Sequence, residues 1–65
     1  MNIAKLKGKT IENGMTIPKL AEAISVERSS LYRRLNKGKI TVGEARKIKE
    51  VLQLSDSDAV EIFLS

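Results

Sequence analysis

The sequence predicts an all-α fold, a compact bundle of five short helices. Three observations carry this. Apolar residues recur at helical i, i+3 and i+4 spacing in five successive segments, whereas strand-like alternation is weak. Asn2, Thr16, Thr41 and Ser55 stand where helix N-caps belong, just ahead of those segments. The stretches between segments are only about two to five residues long, as in compact helical domains.

The first helix is expected over about residues 2–13. Asn2 can cap it, and Ile3, Leu6, Thr10 and Ile11 fall at helical spacing. Gly14 follows the last turn, where a left-handed C-cap favours glycine. Gly8, inside the helix, costs about 1 kcal/mol relative to Ala and is expected to admit close approach of another helix. Thr16 caps the second helix, about 17–24, with Pro18 in its first turn. Its apolar stripe is Ile17, Leu20, Ala21 and Ile24. The third helix, about 28–36, turns Leu31 and Leu35 inward. The polar run Asn36, Lys37, Gly38, Lys39 reads as a loop. Thr41 and Glu44 form a capping-box pattern that opens the fourth helix, with Val42, Ala45, Ile48, Val51 and Leu52 inward. Ser55 to Asp58 opens the fifth, its acids favoured by the helix dipole. Val60, Phe63 and Leu64 are its apolar positions. Phe63 is expected to plug the core beneath the first and fourth helices; the alternative is a dimer contact with Ile62 and Leu64.

Composition narrows the function. The chain has 65 residues, 42% hydrophobic and 31% charged, a balance that suits one folded domain spanning residues 1–65. It contains no cysteine and no histidine, so zinc, haem and iron–sulfur chemistry lose their usual ligands. The usual acid–base catalyst at neutral pH is missing as well. Ser29 and Ser30 have no base to activate them, and Asp56 and Asp58 read as helix-start acids. No enzyme activity, metal or other cofactor is expected. No apolar run approaches the ~18 residues of a membrane helix, and no secretory leader is evident. A cytoplasmic protein that binds a partner is the expectation.

Charge distribution suggests which partner. Of 12 basic residues, eight lie within residues 28–49, where Glu44 is the lone acid; residues 50–65 hold four acids and no base. A clustered cation of this kind marks a polyanion partner, usually nucleic acid. The acidic tail should point away from it. A membrane surface fits less well, because no basic helix pairs with a bulky apolar face. Arg46, Lys47 and Lys49 read as solvated charge that adds to the field.

Two short helices joined by a tight turn, residues 17–36, make a helix-turn-helix, whose second helix is the one presented to the DNA major groove. A small residue is needed at the crossing, and Ala21 supplies it. At ~100° per residue, Leu31 and Leu35 lie about 40° apart and define the inner side. Ser29, Arg33 and Asn36 then project outward, flanked by Arg28 and Tyr32 on one edge and Ser30 and Arg34 on the other. This face carries no acid. Arg can read guanine, Asn can read adenine, and Ser and Tyr reach bases or phosphates. Tyr32 has two roles open to it, the rim of the core or the DNA.

Leu20-Ala21-Glu22, Val26, the run Arg28 to Asn36, Thr41 to Ala45 and the ending Asp58 to Phe63 resemble a Cro/repressor-type (lambda-repressor-like) helix-turn-helix protein. The resemblance is to the short regulators of phages and mobile elements and spans nearly the whole chain. It implies a sequence-specific transcriptional regulator of the bacterial cytoplasm, acting as a repressor by occupying an operator. By position, Arg28, Ser29, Tyr32 and Arg33 resemble base readers. Lys19, Ser30, Arg34, Asn36, Lys37 and Lys39 resemble backbone contacts. A homodimer on DNA is implied, with no small-molecule effector. The sequence departs from the family pattern at three places: Ser25 replaces the usual turn glycine, Ile17 an often-present glutamine, and Glu27 a Ser or Asp cap. Two other readings share the fold: a protein-interaction module such as an antirepressor or antitoxin, and an architectural or excision factor that bends DNA.

Overall fold

The computed structural model describes all 65 residues and contains helices and no strands. The helices are α1 (Ile3–Glu12), α2 (Ile17–Ala23), α3 (Arg28–Lys37), α4 (Val42–Val51) and α5 (Asp56–Phe63). None is long and apolar enough to cross a membrane.

Every helix begins on a side chain that accepts a backbone N–H. Asn2, Thr16, Thr41 and Ser55 take the N–H of Lys5, Lys19, Glu44 and Asp58, and Thr41 and Glu44 close a full capping box. Glu27 performs the same task for α3, accepting from both Ser29 and Ser30. Each cap thereby satisfies one of the four otherwise unpaired donors at its helix start, and Glu27 satisfies two.

The helix ends also repeat one device. Gly14, Ser25, Gly38 and Gln53 all take a positive φ, at 69°, 60°, 68° and 51°. The following N–H then bonds five residues back: Met15 to Thr10, Val26 to Ala21, Lys39 to Arg34, Leu54 to Lys49, at 2.8–3.0 Å. This left-handed cap with its back-bond satisfies helix-end carbonyls and reverses the chain at once. An apolar residue then precedes each new N-cap (Met15, Val26, Ile40, Leu54), and all four pack on or within the core. The third connection differs by one inserted residue, Lys39.

The core contains Leu6, Ile17, Leu20, Ala21, Ile24, Leu31, Leu35, Ile48, Leu52, Leu54 and Ile62. Thr10 is also buried, and its hydroxyl donates to the Leu6 carbonyl at 2.8 Å, so it is satisfied within its own helix. Fully burying one Leu or Ile contributes about 1.5–3 kcal/mol. α2 packs chiefly against α3 and also meets α1 and α4. α5 packs on α1, and the Asn2 N–H donates to the Ile62 carbonyl at 2.8 Å, joining the two.

Several inward assignments fail. Ile11, Val42, Val60 and Leu64 keep helical spacing but stand exposed. Ile11, Val42 and Leu64 lie at or next to the ends of their helices, and Val60, midway along α5, stands on its solvent side. Ile62, fully buried, fills the place expected of Phe63, which is only partly buried against the core. Gly8 admits no close helix, since nothing lies within 4 Å of a Cβ built there. Asn36 and Lys37 continue α3 instead of forming a loop, because Gly38 carries the left-handed cap.

Candidate nucleic-acid interface

The inner side of α3 is Leu31 and Leu35, at 0% and 2% exposure. Arg28, Ser29, Tyr32, Arg33, Asn36 and Lys37 are exposed, as the helical wheel requires. The two edges of this face fare differently.

The edge nearer α1 and α2 stays open. Lys19 in the first turn of α2 and Arg28 in the first turn of α3 line one groove of about 490 Å³, together with Thr16 and Glu22. Tyr32, 41% exposed, lines a neighbouring depression with Lys7 and Ile11 of α1 and with Met15. Its ring therefore sits at the core rim with part of its surface still presented outward.

The edge nearer α4 is closed. Arg34 forks onto Glu44: Nη1 donates to Oε1 at 2.7 Å and Nη2 lies 2.6 Å from Oε2. Glu44 Oε1 also accepts the Thr41 N–H at 3.1 Å. Burial alone would raise the Glu44 carboxyl, but the Thr41 N–H and the guanidinium outweigh it and hold it below its ordinary value. One carboxylate thus caps α4 and ties it to α3. Ser30, half-buried, turns its hydroxyl back to Glu27 Oε2 at 3.2 Å. Ser30 and Arg34, expected as backbone contacts, are thus both engaged within the protein.

Glu27 caps the helix that carries this face. Hydrogen bonds from Ser29 and then Ser30 hold its carboxyl down at about 2. Both its oxygens point into the start of α3, Oε1 toward the Ser29 N–H and Oε2 toward the Ser30 N–H. The negative charge lies against the positive end of the helix dipole.

The acids elsewhere neutralise a specific set of bases. Lys5 bonds Glu61 and lies 3.3 Å from Asp58; Lys9 meets Asp58 at 3.4 Å and Glu12 at 3.5 Å; Lys49 meets Asp56 at 3.0 Å. Lys5 is raised, by Glu61 first and against burial, and Asp58 is lowered, by Lys5 first and against burial. Lys7, Lys19, Arg28, Arg33, Lys37, Lys39, Arg46 and Lys47 have no acidic partner. Four of these eight lie on α3 or in the residues just after it. Lys7 was not expected at the site; its place beside Tyr32 depends on how α1 packs against α3, which no local pattern encodes.

No family model matches the chain, and no curated protein or solved structure matches it.

Proposed function

We propose that the chain is a sequence-specific double-stranded DNA-binding regulator, with α2 and α3 as its helix-turn-helix and α3 as the recognition helix. The carrying observation is the selective neutralisation just described. Acids pair with Lys5, Lys9, Arg34 and Lys49, whereas Arg28 and Arg33 on the outer face of α3 and Lys19, Lys37 and Lys39 beside it have no acidic partner. A helix with buried leucines behind and Arg28, Ser29, Tyr32 and Arg33 in front carries side chains that can read base edges. Lys19, Lys37 and Lys39 flank it and serve phosphates, which position the protein without specifying sequence. Arg34 holds α3 against α4 in this reading. Repression follows by occupancy: a protein seated in the major groove blocks a polymerase whose promoter overlaps the operator. Two copies would bind half-sites about one helical turn apart.

Selection of bound duplexes from a random pool should return a symmetric consensus. Titration against that duplex at several salt concentrations then measures phosphate contacts. About four per copy in a pair give a log–log slope on the order of −7. A slope near zero refutes the DNA reading and favours a protein-interaction module. A steep slope with no consensus favours an architectural factor.

A further inference from the structure

Asn13 is the one asparagine of the chain followed by glycine; Ile3 follows Asn2 and Lys37 follows Asn36. Gly14 has no Cβ to shield its backbone nitrogen, which can attack the carbonyl carbon of the Asn13 side chain. A bond forms from Gly14 N to Asn13 Cγ, the Cγ–Nδ2 bond breaks, and ammonia leaves with the Gly14 proton. Water then opens the five-membered imide at either carbonyl, leaving aspartate or isoaspartate. Water is the sole co-reactant.

The fold opposes each part of this step. The Asn13 amide donates to the Lys9 carbonyl at 2.9 Å and to the Leu52 carbonyl at 3.2 Å. The Gly14 N–H is held by the Ile11 carbonyl at 2.8 Å. The Asn13 ψ of 9° sets the Gly14 nitrogen over Asn13's own nitrogen, a third of a turn from Cβ. Ring closure needs it beside Cβ. Asn13 is nonetheless exposed, so water reaches the imide once the turn opens.

The same amide is structural. It makes the one hydrogen bond between α1 with its caps and α4 with its caps, reaching Leu52 at the end of α4. An ionised acid in its place has no donor and turns a carboxylate toward two carbonyls. It also sets a negative charge at the negative end of α1. Lys9, one turn back, is already shared by Glu12 and Asp58, so it offers the new acid little. The iso product adds a methylene to the main chain, and the Met15 N–H then loses its register on the Thr10 carbonyl, now 3.0 Å away.

We propose that Asn13–Gly14 is a self-modifying site, held shut by the C-cap of α1, whose deamidation frees the end of α1 from the end of α4. The change runs one way, because the acid cannot rebuild the link. Local opening of the cap sets its pace. This inference is independent of what the chain binds.

Peptide mapping by mass spectrometry, with isoaspartyl methyltransferase as the probe for the iso product, follows the reaction at neutral pH. In guanidinium chloride Asn13 should convert while Asn2 and Asn36 persist. The folded protein should convert Asn13 at least about tenfold more slowly, since closure waits for opening. Asn13→Gln, whose longer side chain closes a six-membered ring with difficulty, should form no iso product. Asn13→Asp should melt about 4 °C or more below wild type, the shift of one lost hydrogen bond in a chain of this size. Equal rates with and without denaturant overturn the proposal, because the cap then holds nothing shut. So does an Asn13 that outlasts Asn2 and Asn36 in denaturant. An Asn13→Asp variant that melts with the wild type overturns the release of α1.

Discussion

Arg33 and Arg34 are neighbours in sequence, and the fold places them in opposite surroundings. Arg33 stands exposed on the outer face of α3 with no acidic partner. Arg34 forks onto Glu44, and their side chains are 28% and 14% exposed. Exposed ion pairs contribute about 0.2–1 kcal/mol. Bidentate geometry and partial burial place this one at the upper end, so a coupling of about 1 kcal/mol is expected. In a chain of this size, 1 kcal/mol moves the melting temperature by about 4–8 °C. Melts of Arg34→Ala, Glu44→Ala and the double variant measure the coupling. Glu44→Ala should lose more than Arg34→Ala, because it also removes half of the α4 capping box. Arg33→Ala should melt within about 0.5 kcal/mol of wild type, as surface substitutions do. It should instead lose about 1–3 kcal/mol of discrimination at one position of the DNA site. The reasoning fails if Arg34→Ala melts like the wild type and weakens binding to every DNA sequence alike. Arg34 would then serve a phosphate, and its fork onto Glu44 would hold nothing.

Acidification should destabilise the protein. Glu27, Glu44 and Asp58 all lie below their ordinary values when folded, so the unfolded chain binds their protons first. The stability they supply is whole above the ordinary values of 4.5 and 3.8 and drains as pH falls toward about 2; Glu27→Gln should flatten the decline in melting temperature. Ala21→Leu should overpack the buried face of α2 and cost about 1–3 kcal/mol, and a melt within about 2 °C of wild type would show that this face has room. Gly8→Ala should raise stability by about 0.5–1 kcal/mol, because the added methyl meets nothing and the helix interior loses its glycine. At Ser25, φ is +60°, so Ser25→Val should destabilise by more than about 1 kcal/mol. Ser25→Gly should stay within about 0.5 kcal/mol, since relief of strain and a looser unfolded chain offset each other. A Val variant as stable as wild type would refute the strained turn.

The helices were legible because capping is local chemistry. Thr41 with Glu44 and Ser55 with Asp58 set their own boundaries within three residues, and the structure places those caps as expected. The outer face of α3 was legible for the same reason, as 100° steps from Leu31 and Leu35 fix it. The ends of the apolar stripes were not. Ile11 and Val42 obey the period, yet whether a stripe's last residue is covered depends on the length of the neighbouring helix. Ion pairing was also hidden. Lys5 meets Glu61 across 56 residues, and Arg34 meets Glu44 across a connection, so no spacing rule announces either. These pairs decide which bases remain available to a partner, and that is a tertiary property.

The recurring turn is not built from the same residue each time. Gly14 and Gly38 take the left-handed φ without a Cβ, whereas Ser25 takes it with one and Gln53 does the same. The Gln53 turn leads only into α5, but the Ser25 turn fixes the angle at which α3 leaves α2. A serine narrows the conformations open to that connection more than a glycine would, so the outer face of α3 is aimed by a stiffer joint. Glu27 follows two residues later and is an anion, whereas the other helices are capped by the neutral Asn2, Thr16, Thr41 and Ser55. An anion beside DNA would repel it, yet this one faces two N–H groups at the positive end of α3, which offsets much of its field. The third connection then inserts Lys39 just beyond α3. Stiffness at the start of α3, a satisfied acid at its cap and an added cation past its end all act on the same helix. No other helix in the chain collects all three changes, which supports the proposed binding face on α3 without depending on its count of arginines.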